Sequence, residues 1–166
     1  WNTGDESDEY GHISEDPVTR IQMMDKRQTK VEQVISLIPK EDQAVVYGKL
    51  DICIVSWGSP KGPILDAIEM HKKDGCEIGF IDIKLLHPFP TNYIKSLLKN
   101  SSIVIDIEAN MTGQLASLIK ENLLRDPDYY ILKYTGRPMT CTEIFDSLKK
   151  ILEKKAEKKQ VLSYGD

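Results

Sequence analysis

The chain has 166 residues, 40% of them hydrophobic and 29% charged, with a formal net charge of −4. That is enough for one ordinary domain with a proper core and some extra, and the weakly acidic balance argues against a non-specific nucleic-acid binder. No apolar run approaches the ~20 residues of a membrane span, and Cys53, Cys76 and Cys141 form no CxxC pair, which argues against a disulfide framework or a four-cysteine zinc or iron–sulfur site within this chain alone.

The charge is uneven. Residues 1–28 carry seven acidic and three basic side chains, and the rest of the chain carries nineteen of each, so the whole net charge sits in the N-terminal arm. The polar, acidic start at Trp1 lacks the basic and apolar regions of a signal peptide and reads as a piece of a longer polypeptide. Cysteine usage fits a reducing cytoplasm.

Residues 1–13 read as loop. Ser14-Glu15-Asp16-Pro17 reads as a helix start with Ser14 as the cap and acids in the first turn. Val18, Ile21, Met24, Val31, Ile35 and Ile38 then recur at steps of three, four and seven, which predicts one long helix stopping before Pro39. Such a helix either packs on its own domain or connects to a neighbour. Residues 1–40 are therefore read as a junction loop and connecting helix, 41–155 as an α/β domain, and 156–166 as a charged tail, a solvated helix fraying into disorder.

Ala44 to Tyr47 is a short strand candidate. Ile52, Ile54 and Val55 mark a strand covered on both faces, running into the small-residue loop Gly58-Ser59-Pro60-Lys61-Gly62. A helix over 63–73 follows, then a strand over Ile78–Leu86 and the rigid corner His87-Pro88-Phe89-Pro90. Tyr93, Ile94, Leu97 and Leu98 form a helix face, residues 103–108 a third core strand, and Leu115, Leu118, Ile119 and Leu123 another helix face. Tyr129 to Tyr134 is a last strand, and Thr140 with Glu143 three residues later fits a capping box opening the final helix. Strands alternating with helices imply parallel pairing through right-handed crossovers. The first strand reaches the second through too few residues for a crossover. The reading is a three-layer α/β/α domain with a mixed, mostly parallel sheet of five strands, the first antiparallel.

In open α/β sheets, ligands meet the carboxyl ends of strands. Ser59, Lys61 and Gly62 lie in the loop after the second strand, and Glu108 and Asn110 end the third core strand; these five are the candidate ligand-binding residues. The bland readings weigh against them. The loop matches neither the G-x-x-x-x-G-K-[ST] nor the G-x-G-x-x-G phosphate motif and reads first as a turn. Asn110 is a good helix cap, and Trp57 is more often core or interface than a cofactor stack. Asp82, Asp106 and Lys133 suggest a phosphoacceptor cluster, but the second strand ends in Ser-Trp-Gly and supplies no acid. His12, His71 and His87 are scattered, and no zinc-hydrolase or G-x-S-x-G motif occurs. No catalytic or metal-binding residue is assigned.

The segments 3–17 (TGDESDEYGHISEDP) with Arg20 and 23–27 (MMDKR), 54–64 (IVSWGSPKGPI), 85–90 (LLHPFP), 110–115 (NMTGQL) and 132–138 (LKYTGRP) together resemble the α subunit of 2-oxoacid:ferredoxin oxidoreductases. The resemblance spans nearly the whole chain in order, and Ala109 and Met111 depart from it where E-E-N-Y is expected. It implies the end of that subunit: a junction, a connecting helix and a domain similar to the C-terminal domain of transketolase. It implies a whole enzyme that uses thiamin diphosphate with magnesium, iron–sulfur clusters and coenzyme A, and passes electrons to ferredoxin. The G-D-G…N thiamin–magnesium motif and the cluster cysteines are absent from this sequence, so the resemblance places that equipment on a β subunit and upstream domains, with no cofactor bound by this chain alone. The expected role is a non-catalytic assembly domain; the alternative is a stand-alone α/β ligand-binding or signalling domain.

Overall fold

Asp16 and Pro17 open the first helix of the computed structural model, which describes residues 4–163. Residues 1–3 of the segment read as an N-terminal loop and residues 164–166 of the tail lie outside the described residues. The chain divides into two compact units, residues 1–39 and 40–166.

In the first unit, helix α1 spans Pro17–Leu37 and buries none of its residues. Its cap is Asp16, not Ser14. The Asp16 carboxylate accepts from the Thr19 N–H at 2.8 Å. Pro17 takes the first helical position, where a missing N–H costs nothing. Ser14 sits outside the helix, and its Oγ accepts from the Asp16 N–H. Ile38 is extended, as a residue before proline prefers. The acidic arm folds back on itself through an antiparallel bridge between Ser7 and Ile13. Glu6 receives the Arg27 guanidinium at 2.9 and 2.5 Å. That contact, helped by a Ser7 N–H and Arg20 and opposed by burial, holds the Glu6 carboxyl down at about 2.

The second unit runs α2 Lys40–Gln43, β1 Ala44–Tyr47, β2 Ile52–Ser56, α3 Lys61–Lys73, β3 Gly79–Ile83, α4 Thr91–Leu98, β4 Ile103–Glu108, α5 Gln114–Leu123, β5 Tyr129–Leu132, α6 Cys141–Leu152 and β6 Lys159–Val161. The sheet order is β1-β3-β2-β4-β5-β6. Strand β1 is antiparallel to β3, with Ala44 opposite Ile83, and every other pairing is parallel.

Among the described residues the sheet therefore has six strands, not five. The sixth lies inside the segment read as a charged, fraying tail. Its own pattern is weak, and the β5 ladder holds it: Tyr130 faces Lys159 and Leu132 faces Val161. An edge strand needs a partner on one side only, and lysines such as Lys158 and Lys159 suit an edge. Strand β3 is shorter than Ile78–Leu86 because the Lys84 and Leu85 N–H groups both leave the ladder for the Gln43 carbonyl at 3.0 Å. Helix α3 begins at Lys61 instead of Pro63, which leaves Pro63 in the first turn, where a helix tolerates it.

Alternate residues of each strand feed opposite cores. Ile54, Phe80, Ile105, Ile107 and Ile131 pack with Ile64 and Ala67 of α3 and Ile144, Leu148 and Ile151 of α6. Cys53, Val55, Ile81, Ile83 and Val104 pack with Ile94 and Leu98 of α4 and Leu115 and Ile119 of α5. Covering both faces is what makes these strands read as near-continuous apolar runs. Gly79 must be glycine: a Cβ there would collide with the Lys49 carbonyl, where the β1–β2 turn crosses the start of β3. Among the described residues, no helix is long and apolar enough to cross a membrane.

Candidate functional site

The chain leaves β2 toward β3 on one side and returns across it to β4 on the other. The carboxyl ends of β2 and β4 are thus the point where strand order reverses, the usual place for a crevice in an open α/β sheet. A crevice of about 260 Å³ lies there, lined by Trp57, Gly58, Ser59, Pro60, Ala109, Asn110 and Gln114.

Glu108 lies behind it and is 1% exposed. Its Oε1 accepts from the Leu115 N–H at 2.8 Å and the Ala116 N–H at 3.2 Å, the second and third residues of α5. Its Oε2 accepts from Trp57 Nε1 at 2.9 Å and from Asn110 Nδ2 at 2.7 Å. A buried carboxylate is tolerable only when paired or fully hydrogen-bonded, and four donors achieve this here. Asn110 Oδ1 accepts in turn from the Thr112 and Gly113 N–H groups. Asn110 thus shapes the turn ahead of α5, while the helix amides are capped by Glu108 from the preceding strand. Gly113, at φ 69, makes the turn into α5, and a Cβ there would press on the Tyr130 ring at 3.4 Å.

Two of the five candidate residues, Ser59 and Asn110, line the crevice together. Glu108 backs it. Lys61 and Gly62 are not among the lining residues. The Lys61 ammonium is turned to Asp82 of β3 at 2.9 Å and lies 5.7 Å over the Tyr47 ring. Its bond to Asp82, then its contact with Tyr47, raises the pKa of the lysine. The consequence is chemical. In doubly wound folds a helix N-terminus at the switch point is a ready anion site. Here the N-terminus of α5 already holds the chain's own carboxylate, and the nearest lysine is committed elsewhere. The crevice offers the Ser59 hydroxyl, the Gln114 amide and the Trp57 indole, the Asn110 amide being spent on Glu108 and the turn, and no cation lines it among the described residues.

Two charged-type residues of the neighbouring strands behave oppositely. Asp106 lies two positions before Glu108 on β4 and is fully buried, and no donor reaches either of its carboxylate oxygens among the described residues; the group it meets is the Glu108 carboxylate, to which it can donate when protonated. Burial first, and the neighbouring Glu108 carboxylate second, push its carboxyl up to about 9. It is a neutral acid at ordinary pH. The suggested phosphoacceptor cluster does not form around Lys133, just past β5. That ammonium, in a residue 2% exposed, is spent on both Glu143 oxygens at 2.8 Å and on the Pro138 carbonyl at 2.9 Å. Burial opposes ionisation of Glu143, but the Lys133 bond and the Thr140 donors outweigh it and leave the carboxyl below its ordinary value. Among the described residues no three His, Cys, Asp or Glu side chains are placed to hold a metal ion. Cys53 is buried, and burial pushes its thiol up to about 12, the opposite of the thiolate a metal or cluster requires.

Trp57 and Gln114 are lining residues with no binding role in the sequence reading. The register held the signal for Trp57. Val55 faces Asp106, so two residues further on Trp57 falls beside Glu108. That pairing needs the strand order, which a single sequence does not state.

Residues 50–144 match the family of pyruvate:ferredoxin oxidoreductase core domain II. Over 98% of its length the chain is 41% identical to the 2-oxoacid:ferredoxin oxidoreductase subunit alpha of Saccharolobus solfataricus, and equally to the 2-oxoacid:ferredoxin oxidoreductase 2 subunit alpha of Aeropyrum pernix. It spans about a quarter (26%) of each of those proteins. Among solved structures it resembles 2-oxoglutarate:ferredoxin oxidoreductase from Magnetococcus marinus, a structure with 2-oxoglutarate, coenzyme A and succinyl-CoA bound. That likeness has a TM-score of 0.77 at 26% identity, over 89% of this chain and 26% of the other. A split-gene transketolase shares the fold, with a TM-score of 0.55 at 21% identity over 69% of this chain and 43% of the other.

Proposed function

Because the chain belongs to the pyruvate:ferredoxin oxidoreductase core domain II family, we propose that it is the C-terminal region of the α subunit of a 2-oxoacid:ferredoxin oxidoreductase and serves assembly instead of chemistry. The whole enzyme would act in the cytoplasm, decarboxylate a 2-oxoacid oxidatively with coenzyme A, and pass the electrons to ferredoxin. Thiamin diphosphate, magnesium and an iron–sulfur cluster would be carried by a β subunit and by upstream domains of the α subunit, and no step is assigned to residues of this chain.

One observation carries the assembly reading. The polar groups at the carboxyl edge of the sheet, where a catalytic α/β domain would keep its reactive side chains, are consumed by the fold itself. Glu108 caps α5 and ties down Trp57. Lys133 neutralises Glu143, and Lys61 neutralises Asp82. Helix α1 is consistent with the same role, since Val18, Ile21, Met24 and Leu37 stay exposed along it. Apolar side chains repeated along a helix that buries none of them suit a surface meant for another polypeptide. Any ligand contact made by Ser59 or Asn110 would be to a neutral polar part of the ligand, because no cation lines the crevice among the described residues.

Co-expression with a tagged β subunit of the same oxidoreductase tests the proposal. The expected result is co-purification that weakens when Val18, Ile21 and Met24 are replaced together by serine. Failure to co-purify with the β subunit, both alone and together with the remaining α-subunit domains, contradicts it.

A further inference from the structure

Toward the opposite edge of the sheet, where the strands begin, a larger groove of about 460 Å³ lies between α4 and the C-terminal end of α5. Its walls include Leu98 and Leu123, and its charged lining residues are Lys95, Lys99 and Arg125, with no carboxylate lining it among the described residues. Arg125 is structural: its guanidinium donates to the Leu98 and Ser101 carbonyls at 2.5 and 2.7 Å, closing the end of α4. Lys95 and Lys99 are different. They stand one turn apart at the end of α4, and neither has a hydrogen-bond or ion-pair partner among the described residues. Helix-dipole compensation accounts for a cation in a last turn, but it gives no reason for a second.

Leu124 supplies an independent observation. It follows Leu123 and precedes Arg125, both of which line the groove. It sits in the left-handed region at φ 54, where glycine or asparagine is the relaxed choice. Its side chain is 92% exposed. The left-handed turn itself closes α5, with the Leu124 N–H donating to the Lys120 carbonyl at 3.0 Å, but the fold gives no return for placing a large exposed apolar side chain at that turn. A contact with a partner does.

We infer that this groove docks an acidic protein segment that carries an apolar side chain. The apolar anchor would seat against Leu98 and Leu123 in the groove and reach Leu124, which follows Leu123 but does not itself line the groove, and flanking carboxylates would meet Lys95 and Lys99. Nucleic acid is disfavoured, because no aromatic platform lines the groove among the described residues.

The test is fluorescence anisotropy with the 166-residue chain and a labelled peptide of glutamates around a pair of leucines. Binding is expected on the order of 10–100 µM, weakening about fivefold or more as salt is raised from about 50 to about 300 mM. The double variant K95E/K99E is expected to weaken it at least about tenfold, the effect of reversing two rim charges. L124N is expected to weaken it about fivefold through loss of the apolar anchor, while leaving the urea midpoint unchanged or higher, because it relieves the strained backbone. That combination separates a docking residue from a structural one. Absence of binding, equal affinity for a leucine-free polyglutamate, or indifference to both variants would overturn the inference. So would sedimentation showing a concentration-dependent dimer that K95E/K99E abolishes, since the groove would then belong to a second copy.

Discussion

Two strand-to-helix junctions at the carboxyl edge of the sheet solve one problem in opposite ways. Each must satisfy the bare amides of a helix start, and each does so with a glutamate. At the β5–α6 junction the glutamate belongs to the helix. Glu143, the third residue of α6, reaches back to the Thr140 N–H at 2.9 Å and takes the buried Lys133 ammonium as well. At the β4–α5 junction the glutamate belongs to the strand. Glu108 ends β4 and reaches forward to α5. The first arrangement pairs a buried charge with an opposite one. The second satisfies a buried charge with four neutral donors, and so leaves a lone negative charge beside the switch-point crevice.

The two junctions should therefore differ in sensitivity. E143A leaves Lys133 buried without its carboxylate and also breaks the capping box, so it should cost about 3–5 kcal/mol in urea unfolding. Adding K133M should restore much of that, because an apolar side chain of similar length fills the same space. If the double variant is no more stable than E143A, the buried pair is not the source of the loss. E108Q keeps the shape but turns one acceptor into a donor among donors, and should cost about 2–3 kcal/mol with a change in Trp57 fluorescence. An unchanged spectrum would mean that the indole is not held by this carboxylate.

Asp106 adds a pH dependence to the second junction. Its carboxyl lies at about 9 in the folded chain against 3.8 ordinarily. The folded state therefore keeps a proton that the unfolded chain releases, and stability falls as pH rises across that window, by at most about 1.4 kcal/mol per pH unit. D106N removes the titrating proton. Its stability relative to the parent chain should be higher near pH ~8 than near pH ~5 by at least about 1 kcal/mol. Parallel pH profiles for the two proteins would show that Asp106 does not titrate in this way. The smallest effect is N110A, which loses one of four donors to Glu108 and the turn contacts to Thr112 and Gly113, at about 1 kcal/mol in the same urea titration.

The same two junctions show what a sequence reveals. The start of α6 was legible because Thr140 and Glu143 are three residues apart, so the whole capping device is local. The start of α5 was not, because its capping carboxylate lies six residues before Gln114, in a different element, and Asn110 offered a plausible local substitute. Strands β2 and β4 were legible because covered strands are apolar throughout. Strand β6 was not, because Lys159-Gln160-Val161 owes its conformation to β5 rather than to its own pattern. The candidate site divides the same way. Proximity to strand ends was enough to bring Ser59 and Asn110 to one crevice. The direction of Lys61 depended on Asp82, a partner 21 positions away across the sheet.

The assembly account is tested most directly by assaying 2-oxoacid- and coenzyme A-dependent reduction of a viologen dye with the purified 166-residue chain, first alone and then with the remaining α-subunit domains and a β subunit. The account predicts no reduction by the chain alone and reduction by the full set. Dye reduction by the chain alone would contradict it.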